Sequence, residues 1–181
     1  MSERVLIVPI ATNEWWGPIV CWFLRSKFNH IFILFEDETL GGWCAREARS
    51  DGVYIVDAEK SSLTRMKYAE FYEHNDSMAV AMKESMNIIG IGYDWLGLMS
   101  NIFRLFLWKI LKVKWLKPVH APGRHTCAED TLSVLRLVPV SGIGILEPST
   151  TMPGEIRDFL LKSTDFHTVE NPIRSDRGKR G

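Results

Sequence analysis

The feature that most constrains the fold is the run Asn29-His30-Ile31-Phe32-Ile33-Leu34-Phe35-Glu36, the strongest strand signal in the chain. Asp37-Glu38 and Gly41-Gly42 then punctuate a turn. Trp43 to Ala48 and Val53 to Asp57 read as two further strands, joined by the tight turn Ser50-Asp51-Gly52. These segments predict an antiparallel meander of three or four strands. Arg4 to Ala11, a continuous apolar run rich in β-branched residues, predicts one more short buried strand.

Helical signals surround the meander, so the fold class is α+β. Ile19 to Leu24 reads as a short helix. Leu63 to Ile88 reads as a long helical stretch with a break near His74-Asn75-Asp76, ended by Ile89-Gly90-Ile91-Gly92. Tyr93-Asp94-Trp95 opens another helix. Thr126 and Glu129 have capping-box spacing, and Leu132, Val134, Leu135 and Leu137 carry that helix into a core. Val138 to Ile145 resembles a strand with a Ser-Gly turn. Pro153 in a first turn starts a last helix, which runs to about Lys162. Residues 1–168 read as a single domain with an insert at about 97–120. Residues 169–181 read as a basic tail, with Asn171 to Gly181 expected to be disordered.

Composition excludes several function classes. The 181 residues carry no net charge, which argues against a nucleic-acid partner. Three cysteines (Cys21, Cys44, Cys127) without a CxxC pair argue against a disulfide framework or a structural zinc site. No metal-ligand spacing and no glycine-rich phosphate loop is present, so neither a metal nor a cofactor is expected. Neither a signal peptide nor an apolar run long enough to span a bilayer is evident, which predicts a cytoplasmic protein.

The chemistry centres on Cys127. It falls in the first turn of the capped helix, where free backbone N–H groups and the positive end of the dipole favour a thiolate. It reads either as this nucleophile or as a small inert core residue. A thiol nucleophile needs a base. His30 is the candidate, because an imidazole in an apolar strand costs desolvation unless it has a partner. Glu47, mid-strand and plausibly across from His30, is either the carboxylate that orients the imidazole or an exposed residue bonded to a neighbouring arginine. His125 precedes the capping residue and reads as a rim residue.

Four segments taken in order resemble a known family. Trp22-Phe23-Leu24-Arg25-Ser26-Lys27-Phe28-Asn29-His30-Ile31, Glu47-Ala48-Arg49-Ser50-Asp51-Gly52-Val53, Ile91-Gly92-Tyr93-Asp94-Trp95 and Thr126-Cys127-Ala128-Glu129 are similar to motifs of the circularly permuted NlpC/P60 papain-like cysteine hydrolases. That group includes YiiX/YebB-like and phage proteins and is distantly related to the lecithin-retinol acyltransferases. The resemblance implies a permuted papain-like fold, with an antiparallel sheet packed against helices that include the nucleophile helix. It implies Cys127 as nucleophile, His30 as base and acid, and Glu47 as the orienting group. Tyr93, with the turn of Thr126 and Ala128, would hold the substrate carbonyl or its oxyanion. The implied substrate is a peptide or cell-wall-type amide. The implied source is a bacterium or phage, which adds the host cytoplasm or the virion as locations. Ala128 stands where serine is commoner, and Ile31-Phe32 is bulkier than usual. A lipid-directed acyltransferase or thioesterase, and a non-catalytic protein retaining the fold, are the alternatives.

From Trp95 to Ala128 there is no acidic residue, while Arg104, Lys109, Lys112, Lys114, Lys117 and Arg124 are basic. With the aromatic and aliphatic residues between them, residues 102–116 read either as a segment that meets a membrane surface or acyl chain, or as a core-covering helix with snorkelling lysines. Either form could wall the active-site groove. No oligomeric state is implied.

Overall fold

The three strands of the predicted meander follow one another as the sequence predicts, and the other elements are placed by what covers or extends them. The computed structural model describes residues 4–13, 17–24, 26–40, 42–112 and 117–173. The elements are β1 (Val5–Thr12), α1 (Gly17–Leu24), β2 (His30–Asp37), β3 (Gly42–Arg49), β4 (Gly52–Asp57), β5 (Met66–Ala69), β6 (Tyr72–His74), α2 (Ala79–Glu84), α3 (Trp95–Leu111), α4 (Cys127–Leu135), α5 (Pro153–Lys162) and β7 (Phe166–Thr168). Seven antiparallel strands form one sheet in the order β4-β3-β2-β1-β6-β7, with β5 also on β1.

Both faces of the sheet are covered. Alternation along the strands sends Ile7, Ile31, Ile33 and Phe35 to one face, where α2, α4 and α5 supply Met82, Leu132, Leu135, Ile156 and Leu160. The alternate residues Leu6, Val8, Phe32 and Leu34 pack on the other face against Ala58, Leu63 and Phe71. The strand run of residues 31–35 is apolar throughout because neither of its faces meets water.

Three expectations are corrected. The predicted helix over Leu63–Ile88 is instead a 3-10 turn (Ser62–Arg65), β5, β6, α2 and a second 3-10 turn (Ser85–Ile88). Pairing with β1 overrides the helical propensity of this stretch. β5 and β6 read as one interrupted strand on β1, and the interruption has a cause. Glu70 donates its N–H to Pro9 O (3.1 Å), but proline has no N–H to return. Val138 to Ile145 is not a strand but a series of turns ending in a 3-10 turn (Ile143–Ile145). The domain does not stop at residue 168. Val169 donates to Phe71 O (3.0 Å), and Val169 and Ile173 pack on the second core. Residues 174–181 of the expected disordered tail lie outside the described residues, as do 113–116 of the insert. Among the described residues, no helix is long and apolar enough to cross a membrane.

α4 is fixed to β3 by buried charge. Arg46, fully buried, donates to Asp130 Oδ1 through Nη2 (2.7 Å) and Nε (3.1 Å). Its Nη1 donates to Ser85 O (3.1 Å) and Ser85 Oγ (2.5 Å), where α2 ends. One side chain thereby ties α2 and α4 to the sheet.

Candidate active site

The N-terminus of α4 is built as its sequence predicts. Thr126 is the extended N-cap, its Oγ1 accepting from Glu129 N (3.3 Å) while Glu129 Oε2 accepts from Thr126 N (2.7 Å). Two of the helix's free donors are thereby occupied. The N–H groups of Cys127 and Ala128, the first two residues of the helix, have no acceptor within it. Cys127 is 5% exposed.

His30 is the first residue of β2, and there its imidazole interacts with both the Cys127 thiol and the Glu47 carboxylate. Its Nε2 is buried without a hydrogen bond, 3.7 Å from Glu47 Oε2. Burial alone would lower the affinity of this ring for a proton. The thiol and carboxylate outweigh that and push the pKa up to about 10. Glu47 is fully buried. Its burial raises the carboxyl, but His30, Arg49 and the Ser62 N–H overcome this and hold it down at about 2. Oε1 is bonded by Arg49 Nε, and Oε2 by Ser62 N (3.1 Å).

Tyr93 reaches the site by a strap. Residue Tyr93 forms an isolated parallel bridge with His125, with His125 N donating to Gly92 O (3.1 Å) and Asp94 N to His125 O (3.0 Å). The strap leans on the β3–β4 turn, where Val53 N donates to Ile91 O (2.8 Å). A Cβ at Gly52 would sit 2.8 Å from that oxygen, and its φ of +147° is itself a conformation for glycine. The Tyr93 phenol is buried and interacts with the thiol. Burial first, then the Cys127 charge, raise its pKa well above the ordinary value, so it stays a donor.

The structure therefore brings together Cys127, His30, Glu47 and Tyr93, with Thr126 and Ala128 in the same helical turn as the thiol. Glu47 does bond a neighbouring arginine, as its alternative reading held, but in the interior. His125 lies on the strap beside Tyr93, its Nδ1 buried without a hydrogen bond.

Sequence reasoning missed Arg49, Ser62, Asp94 and His120. Asp94, fully buried, caps α3 by accepting from Gly97 N (2.8 Å), and it also accepts from Ala121 N (3.2 Å). His120 Nδ1 lies 2.9 Å from Asp94 Oδ2 and 3.5 Å from Glu129 Oε1, joining the α3 cap to the α4 capping box. Among the described residues this is the one group of histidine and carboxylates close enough to share an ion. Each carboxylate there is already engaged by protein donors. The Asp at an N-cap position was a legible signal for Asp94; nothing local announces His120 as its partner.

Among the described residues of the insert, His120 reaches the capping box of α4, 3.5 Å from Glu129 Oε1. Phe23 of α1, Arg104 and Trp108 of α3, and Met152 before α5 help to line a cavity of about 280 Å³. His30, Glu47, Tyr93 and Cys127 are not among its lining residues. No family model and no curated protein matches the sequence.

Proposed function

We propose that the protein is a cysteine hydrolase that cleaves an amide through an acyl-enzyme, on a permuted papain-like fold of the NlpC/P60 type. One observation carries this reading: a buried imidazole interacting on one side with a thiol at a helix N-terminus and on the other with a buried carboxylate. With Nε2 of His30 turned to Glu47, Nδ1 is left for the thiol. The proton moves from sulfur to the ring, and Glu47 stabilises the imidazolium. The thiolate attacks the carbonyl carbon. The Cys127 and Ala128 N–H groups and the Tyr93 hydroxyl donate to the oxyanion. His30 then returns its proton to the leaving amine, and later takes one from the water that releases the acid. The substrate class is a peptide or cell-wall-type amide.

A second reading, acyl transfer or ester and thioester hydrolysis on lipids, draws on the apolar face of α3 considered below. Both readings use the same thiol, and a non-catalytic scaffold would not activate it. Mass spectrometry after brief iodoacetamide treatment near pH 6 separates both readings from the scaffold. Burial raises the thiols of Cys21 and Cys44, which keeps them protonated there. The expected result is alkylation confined to Cys127 and absent from Cys127→Ala. Equal, slow modification of all three cysteines overturns the proposal. A panel of amide and ester acyl probes on the same thiol then reports the substrate class.

A further inference from the structure

The third helix carries a large unburied apolar face. Leu96, Met99, Phe103 and Ile110 are spaced three, four and seven residues apart and so fall on one side of α3. They are 52%, 56%, 59% and 54% exposed. Neighbouring elements widen the face. Ser100 Oγ accepts from Val119 N (3.0 Å) and donates to Val119 O (2.8 Å), which lays the exposed Val119 alongside the helix. On α1, the exposed Trp22 packs edge-on against Phe23, whose ring meets Phe106 of α3. A face this wide marks a contact surface rather than scattered apolar residues.

The charge around it selects the occupant. The segment from Trp95 to Ala128 holds six lysine and arginine residues and no aspartate or glutamate, in a chain whose net charge is zero. The basic excess is therefore local. A helix with an apolar face, tryptophans at Trp95 and Trp108, and cations along and after it has the composition of an element that lies in a bilayer interface. We infer that α3 and the Val119 segment dock this protein flat onto an anionic lipid surface, with Met99 and Phe103 entering the acyl boundary and the exposed Lys117 beside Val119 meeting headgroup phosphates. The inference concerns binding and stands independently of the chemistry at Cys127.

Co-sedimentation of the full chain with vesicles tests it. Vesicles of phosphatidylglycerol and phosphatidylcholine in about equal parts should pellet the protein at ~0.1 M salt, and pure phosphatidylcholine far less. Raising salt to ~0.5 M should weaken the binding. The double variant Met99→Ser/Phe103→Ser, altered only at solvent-facing positions, should bind anionic vesicles roughly tenfold less while alkylating normally at Cys127. Quenching of the wild-type tryptophan emission by brominated lipid reads the same contact without any substitution. Absence of binding to anionic vesicles, or equal binding by the double variant, overturns the inference. So does a concentration-dependent dimer that the double variant abolishes, since the face would then belong to a second copy.

Discussion

Arg46 and Glu47 are consecutive on β3, both fully buried, and both charged, yet they are held in opposite ways. Alternation turns Arg46 to the helical face and Glu47 to the other. Arg46 is the saturated side in the sense that every nitrogen is bonded: Nε and Nη2 to Asp130 and Nη1 twice to Ser85, which leaves it one arrangement. Glu47 is anchored by Arg49 and Ser62, but its contact to His30 is open at 3.7 Å and leaves Nε2 unbonded. A buried charge with every partner close fixes a scaffold. A buried charge with one loose partner can follow a proton. The contrast gives Arg46 a structural role and supports the role proposed for Glu47.

The largest expected effect is on the loose side. Glu47→Gln should slow acyl transfer to Cys127 on the order of 10³–10⁴-fold, because a neutral amide no longer stabilises the imidazolium. Its melting curve across pH sharpens the point. His30 is raised from 6.5 to about 10 in the fold, so its contribution is complete below about 6.5 and lost as pH rises through 10. Glu47 is lowered from 4.5 to about 2, so its contribution is complete above 4.5 and lost as pH falls towards 2. The stability gap between parent and variant should be widest from 4.5 to 6.5. A gap that ignores pH would remove the coupling.

On the saturated side, Arg46→Ala should cost about 3–5 kcal/mol in urea unfolding, since it strands Asp130 without its partner. Tyr93→Phe comes next, with a rate loss of roughly 10²-fold, the size of one oxyanion donor, and unchanged alkylation of the thiol. Smallest is Arg46→Met combined with Asp130→Leu, which removes both charges and should return most of the stability lost by Arg46→Ala. If that pair instead abolishes acyl transfer while the protein stays folded, the division between scaffold and chemistry is wrong.

What was legible in the sequence was local. The β2–β4 meander, the turn at Asp51-Gly52, the capping box at Thr126 and the helix start at Pro153 are all written within a few residues. The pairing of β5 and β6 with β1 was not, because Met66 to His74 carries helical propensity and only a distant strand edge makes it extended. Within the site, His30 and Glu47 announced themselves by standing in strands that penalise them, and Cys127 by standing in a capped first turn that favours an anion. Arg49 and Ser62 did not, since an arginine and a serine look ordinary at a turn or strand end. Their roles follow from where Glu47 points.

The Arg46–Asp130 bond closes a span of 84 residues. Contacts that far apart form late, after the local hairpins, because loop closure must come first. α4 therefore docks on a sheet already made, and the sulfur meets its imidazole only then. A chain still emerging from the ribosome, or one stalled with α4 undocked, keeps Cys127 apart from His30, so the activity proposed above would wait for the last long-range contact.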